Sequence, residues 1–137
     1  MTVADKDKPE LLPIANNFKK LGFNIYTTTK TGEFLKENGI DSTVLKKLHE
    51  GRPNIADAIK NKEIHLIVNT PIGRTGKYDD SYIRMKAIQH KIPYITSLAA
   101  AEATVEGIDV AKKSKIFPKS LQDYYKELKP RKPASCC

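Results

Sequence analysis

At 137 residues the chain fits one domain with a real core. Charged residues reach 29% and no apolar run is long enough for a membrane-spanning helix or a secretory leader. The formal charge of +8 invites a nucleic-acid reading, but residues 112–137 hold eight Lys/Arg against Asp123 and Glu127, so only +2 is left for the rest. The stretch 129–137 reads as a basic, disordered tail outside a 1–128 domain, and no nucleic-acid partner is expected. Its two cysteines, Cys136 and Cys137, cannot staple a fold, which fits a reducing, cytoplasmic compartment.

In chain order, Val3 reads as the end of a short first strand. Asp7 is placed to cap the next helix, with Pro9 in the first turn and Glu10 as a capping-box partner. Leu11, Ile14, Ala15, Phe18 and Leu21 keep helical spacing, and Gly22 stops the helix. A strand is predicted over Phe23–Thr27, a helix to Asn38-Gly39, and a short strand over Thr43–Leu45. His49–Pro53 is a loop and Asn54 caps a short helix through Ile59. Ile64–Asn69 is the clearest buried strand, followed by a loop from Thr70 to Asp79. A helix over Ser81–Lys91, a strand over Ile92–Ile95, an alanine-rich helix over Leu98–Val105 capped at Thr96-Ser97, an extended Ile116-Phe117 and a last helix over Ser120–Leu128 complete the chain. Alternating strands and helices imply an α/β fold: three layers, α/β/α, around a central, mainly parallel sheet.

Ligands bind such sheets beyond the C-terminal ends of the strands. Three polar loops are expected there: Thr27–Thr31, Lys46–Pro53 and Asn69–Asp80. Thr27, Thr28, Thr29 and Thr31 gather hydroxyls where a strand hands over to a helix, and a helix N-terminus offers free N–H donors. Two readings stay open at this point: an anion cradle, or a strand end with an ordinary N-cap. Lys8 opens a helix just after a strand and Lys46 or Lys47 follows another, so either could add a cation; each could equally be a solvated side chain. Asn69 ends a buried strand and needs partners, in a ligand or in its own loop. Asp79 and Asp80 could accept from hydroxyls or cap the helix near Ser81. Catalytic patterns are lacking. The three histidines share no metal-ligand spacing, Asp79-Asp80 is poor geometry for an acid–base pair, and no phosphate-binding or nucleophile motif occurs. No metal or cofactor is expected.

Gly22-Phe23, Thr28–Thr31, Leu35, Gly39-Ile40, Leu48–Pro53, Ile59–Asn61, Leu66–Thr70 and Asp79–Arg84 occur in order. Together they resemble the C-terminal allosteric domain of the carbamoyl phosphate synthetase large subunit, which has the methylglyoxal-synthase-like fold. The likeness runs from about Thr2 to Leu128 and suggests a segment of a longer bacterial-type polypeptide. It implies a regulatory site for a nucleoside monophosphate, UMP or IMP, and no catalysis by the domain itself. It also implies, as partners, the rest of the ATP-dependent synthetase of pyrimidine and arginine biosynthesis and its glutaminase subunit. Carried over by motif, Lys8, Thr28, Thr31 and Lys47 would hold the phosphate. Asn69, Thr70 and Pro71 would line the ribose, and Asp80, Tyr82 and Ile83 the base. Pro71 and Asp80 depart from the pattern, a hydroxyl and a small neutral residue being usual there. Mitochondrial relatives bind N-acetylglutamate at the same positions, but Lys8 and Lys47 together favour a phosphate. Methylglyoxal synthase, a lyase, is the enzymatic alternative. It needs a carboxylate base where this chain has Gly51-Arg52-Pro53-Asn54.

Overall fold

A computed structural model describes residues 1–47, 50–70, 77–115 and 117–127. The expected tail, His49 and Pro71 lie outside the described residues.

The strands are short, two residues each. β1 (Tyr26–Thr27) pairs in parallel with β2 (Thr43–Val44), and β3 (Ile67–Val68) with β4 (Tyr94–Ile95). The extended N-terminal residues join the two pairs. Thr2 bridges Asn69 in parallel, its N–H donating to Val68 O at 2.9 Å, while Thr70 N–H donates to Thr2 O at 3.1 Å. On the other side the Met1 amine donates to Tyr26 O. The resulting order is β2, β1, the N-terminal segment, β3, β4. The chain winds outward in one direction, then returns to wind in the other. The crevice at that reversal, between the N-terminal segment and β3, is where parallel sheets of this kind take their ligands.

Helices cover both faces. α1 (Lys8–Lys20), α2 (Thr29–Glu37) and α5 (Leu98–Lys113) bury one core: Leu11, Ile14, Phe18, Leu35, Leu98 and Val105 with Val3, Ile25 and Val68 of the sheet. Burying each of these large side chains stabilises the fold by about 1.5–3 kcal/mol. α3 (Ile55–Lys60) and α4 (Lys77–Gln89) bury a smaller one, Ile59, Ile83 and Ala87 on Ile67. α6 (Leu121–Glu127) follows, with Leu121, Tyr124 and Tyr125 exposed.

Several boundaries follow the sequence signals. Gly22 (φ +90°) and Gly39 (φ +76°) turn the chain out of α1 and α2 in the left-handed region that favours glycine. Asn54 forms a complete capping box with Asp57, and Ser97 Oγ accepts from Ala100 N–H. Others differ. The capping box expected from Asp7 and Glu10 is not made, because Asp5–Asp7 already form a tight 3₁₀ turn and Asp7 enters α1 in helical backbone without a side-chain bond. α4 begins at Lys77, so Asp79 and Asp80 sit inside the helix rather than before it. α5 runs on to Lys113, eight residues past Val105. Its later residues Val110 and Lys112 are exposed, yet Lys112 Nζ reaches Leu21 O at 2.6 Å and ties the helix to the end of α1.

Candidate functional site

Three polar side chains lie in a row across the sheet at the reversal. Thr28 follows β1, Thr2 belongs to the N-terminal segment, and Asn69 follows β3. Thr28 Oγ1 donates to Thr2 Oγ1 at 3.2 Å, and Thr2 and Asn69 are bridge partners, so their side chains share a face. All three are buried. The sequence points to Thr28 and Asn69 but not to Thr2, whose place depends on the register of the first strand.

The row meets a helix N-terminus that has no side-chain cap. Thr28 is the N-cap of α2 in extended backbone, yet its hydroxyl is turned to Thr2 instead of the first-turn N–H groups. Those donors, on Thr29, Lys30 and Thr31, carry the positive end of the helix dipole. Thr31 is 1% exposed and its hydroxyl bonds no other described residue. The N-cap position thus falls on Thr28, with Thr29 and Thr31 already inside α2.

Lysines lie at the start of α1, in the first turn of α2 and after β2. The Lys8 side chain is only 15% exposed. Its Nζ lies 2.8 Å from Asp5 Oδ1 and 5.8 Å from the centre of the Phe34 ring on α2, which draws the start of α1 to α2. The Lys8 ammonium, and more weakly Lys30, holds the Asp5 carboxyl below its usual range. Lys30 is thus a cation of this rim that the sequence reading passed over. Lys47 follows the Lys46–Asn54 bridge at the exit of β2, half-buried, with its N–H donating to Glu50 Oε2 at 2.9 Å.

Asn69 is 2% exposed. Its Nδ2 donates to Asp80 Oδ1 at 3.0 Å and to Tyr94 Oη at 2.6 Å, while its buried Oδ1 has no hydrogen-bond partner among the described residues. A buried carbonyl left unpaired costs about 1–3 kcal/mol, so this oxygen stands ready for a donor. The remaining expected residues make other contacts within the fold. The Thr70 hydroxyl accepts from Ala4 N–H at 2.9 Å and fastens the N-terminal segment to β3. Tyr82 is half-buried under Lys86, and Ile83 is built into the α3–α4 core. Tyr94, which the sequence shows only as a strand residue, joins the site through Asn69, with the Arg84 guanidinium 5.4 Å from its ring centre.

A cavity of about 430 Å³ lies along the sheet toward the opposite ends of the strands. It is lined by Met1, Phe23, Tyr26, Ile55, Ile64 and Ile67 among others, and touches Thr2 and Thr28 only at one end. The rim, not this apolar space, gathers the cations and helix donors. Among the described residues no cluster of three or more His, Cys, Asp or Glu could hold a metal, and no helix is long and apolar enough to cross a membrane.

The family model for the MGS-like domain matches residues 10–96. The chain belongs to the MGS-like domain family. This MGS-like domain is 46% identical over 130 residues to the carbamoyl phosphate synthase large chain, C-terminal section, of Aquifex aeolicus, covering 91% of this chain and 24% of that protein. It is 43% identical to the corresponding section from Methanopyrus kandleri, covering 92% and 23%. Against the carbamoyl phosphate synthase large chain of Archaeoglobus fulgidus it is 43% identical, covering 93% and 12%. The chain thus spans about a quarter of the length of the first two relatives. Among solved structures, methylglyoxal synthase from Elizabethkingia anophelis superposes with a TM-score of 0.58 at 16% identity, covering 96% of this chain and 93% of that one. That likeness establishes the fold.

Proposed function

We propose that this MGS-like domain is the regulatory, effector-binding part of a carbamoyl phosphate synthase large chain, and that its effector is a nucleoside monophosphate such as UMP or IMP. The observation that carries the reading is the α2 N-terminus without a side-chain cap, on a helix whose Phe34 ring lies under Lys8, next to a polar row that ends on Asn69, whose Oδ1 has no partner among the described residues. The helix end and Lys8, with Thr28, Thr31 and Lys47, suit a phosphate. Asn69 suits a ribose hydroxyl, and the Tyr82 side of α4 borders the base. The identity to large chains of carbamoyl phosphate synthase supports the setting. The rest of that chain and its glutaminase subunit are the proposed partners, and a cytoplasmic enzyme of pyrimidine and arginine biosynthesis the proposed whole. The effector acts by binding one state of the synthase more tightly than the other, since equal affinity would shift nothing.

The domain itself does no chemistry in this reading. Its rim carboxylates are already engaged, Asp5 with Lys8 and Asp80 with Asn69. The Gly51–Asn54 stretch ends in a helix cap, Asn54 Oδ1 accepting from Ala56 and Asp57 N–H. A lyase base has to reach the substrate proton, and the engagement of these groups supports a binding reading over a catalytic one. Calorimetric titration with UMP, IMP and N-acetylglutamate tests the reading. The monophosphates are expected to bind and N-acetylglutamate to bind more weakly. No heat from either nucleotide at millimolar concentration overturns it, and methylglyoxal formed from dihydroxyacetone phosphate would establish the lyase in its place.

A further inference from the structure

We propose that Asp80 is a positioning residue that fixes the Asn69 carboxamide with its carbonyl oxygen toward the ligand, so that the site selects molecules offering a hydroxyl donor there. This rests on the effector reading above and adds what decides among its ligands.

The geometry follows from donor and acceptor chemistry. An ionised carboxylate only accepts hydrogen bonds, so the group 3.0 Å from Asp80 Oδ1 has to be the Asn69 amino group. Tyr94 Oη at 2.6 Å could bond either end of an amide, because a phenol both donates and accepts. Asp80 alone therefore breaks the near-symmetry of the carboxamide. With both N–H groups of Nδ2 used, the carbonyl oxygen is left on the remaining side, buried and without a partner among the described residues. It is shielded from water, so a donor reaches it through a local opening of its surroundings. A hydroxyl pair such as that of a ribose completes it. A carboxylate brings only acceptors, and two acceptors facing each other at a dry site repel. Asp80 lies in the first turn of α4, one residue before Ser81, and Asn69 eleven residues earlier at the end of β3. Only the fold brings them together.

The test compares UMP with 2′,3′-dideoxyuridine monophosphate on the native chain and on Asp80→Ala, Asp80→Asn and Tyr94→Phe, with the Asn69 side-chain amide followed by NMR. Alanine suits a half-exposed helix position, so that variant is expected to fold. The native chain is expected to prefer UMP by about tenfold or more, the worth of one hydrogen bond to a buried acceptor. In Asp80→Ala the preference falls toward one through weaker UMP binding, and the Asn69 amide protons lose their protection from exchange. Asp80→Asn can donate as well as accept, so it no longer forces one orientation and its preference falls too, while Tyr94→Phe keeps more of the preference than Asp80→Ala. An Asp80→Ala chain with native preference and native amide protection overturns the proposal. A native chain that binds neither nucleotide overturns the effector reading and the ligand selection with it. The amide protection then still decides whether Asp80 holds Asn69, because it is read without ligand.

Discussion

At the scale of single residues, the site is legible in the sequence where chemistry is local and hidden where it crosses strands. The threonines after β1 and Asn69 at the end of β3 stand out because a hydroxyl cluster before a helix and an amide at the end of an apolar strand each need partners. Thr2 and Tyr94 do not stand out. Their roles come from a bridge to Asn69 and from a contact across 25 residues. The same holds for the bond to Asp80, which reads as a candidate base contact and accepts from Asn69 with one oxygen. Thr28 and Thr31 provide the sharpest residue-scale test. If their hydroxyls bond a charged phosphate oxygen, Thr28→Ala and Thr31→Ala each weaken monophosphate binding by about 1–3 kcal/mol, read by calorimetry. Thr28→Ala also frees the Thr2 hydroxyl, so its loss is expected toward the lower end. Unchanged affinity in both variants would leave the helix N–H groups and lysines as the whole of the phosphate site.

At the scale of elements, the start of α2 matters most. Gly32 lies one turn in, and a Cβ there would stand 2.7 Å from both Thr27 Oγ1 and Val44 Cγ2. Neither neighbour yields easily, since both side chains are β-branched and stiff at χ1. Gly32 thus lets α2 seat its N-terminus against β1 and β2. Gly32→Ala is expected to destabilise the fold by about 1–3 kcal/mol through overpacking, despite alanine's better helix propensity, and to weaken phosphate binding by shifting the helix end. Urea denaturation and calorimetry on one preparation check both effects; a variant as stable as the native chain contradicts the close packing. Element boundaries were readable from glycines and caps at Gly22, Gly39, Asn54 and Ser97, where one residue sets the backbone. They were misread at Asp7 and at the start of α4. There a 3₁₀ turn runs into α1, and α4 begins at Lys77, ahead of the expected start.

At the scale of the whole molecule, alternating strands and helices imply a parallel three-layer fold, but strand order was not readable. The order depends on hydrogen bonds of the first three residues to both Tyr26 and Val68, which no local pattern encodes. That placement has a measurable consequence. In the 137-residue chain taken by itself, the Met1 amine donates to Tyr26 O beside the 430 Å³ cavity, and desolvation lowers its pKa from 8.0 to about 5. Between about pH 5 and pH 8 the unfolded chain holds a proton there that the native chain does not, so stability rises with pH across that window. The Asp5 carboxyl, held low by Lys8, acts in another window, its contribution being lost as pH falls below the usual carboxylate range. Urea midpoints from pH 5 to 8 are expected to climb for the free amine, and to lose that part of the slope once Met1 is Nα-acetylated. Equal slopes for the two forms would contradict the buried amine.

The crevice at the strand-order reversal, with its helix donors, cations and unpaired asparagine oxygen, is the claim on which the functional account rests. Calorimetric titration of UMP or IMP into this chain measures it most directly. The account predicts saturable binding of a monophosphate that weakens in Thr31→Ala. Absence of binding at millimolar nucleotide would contradict it.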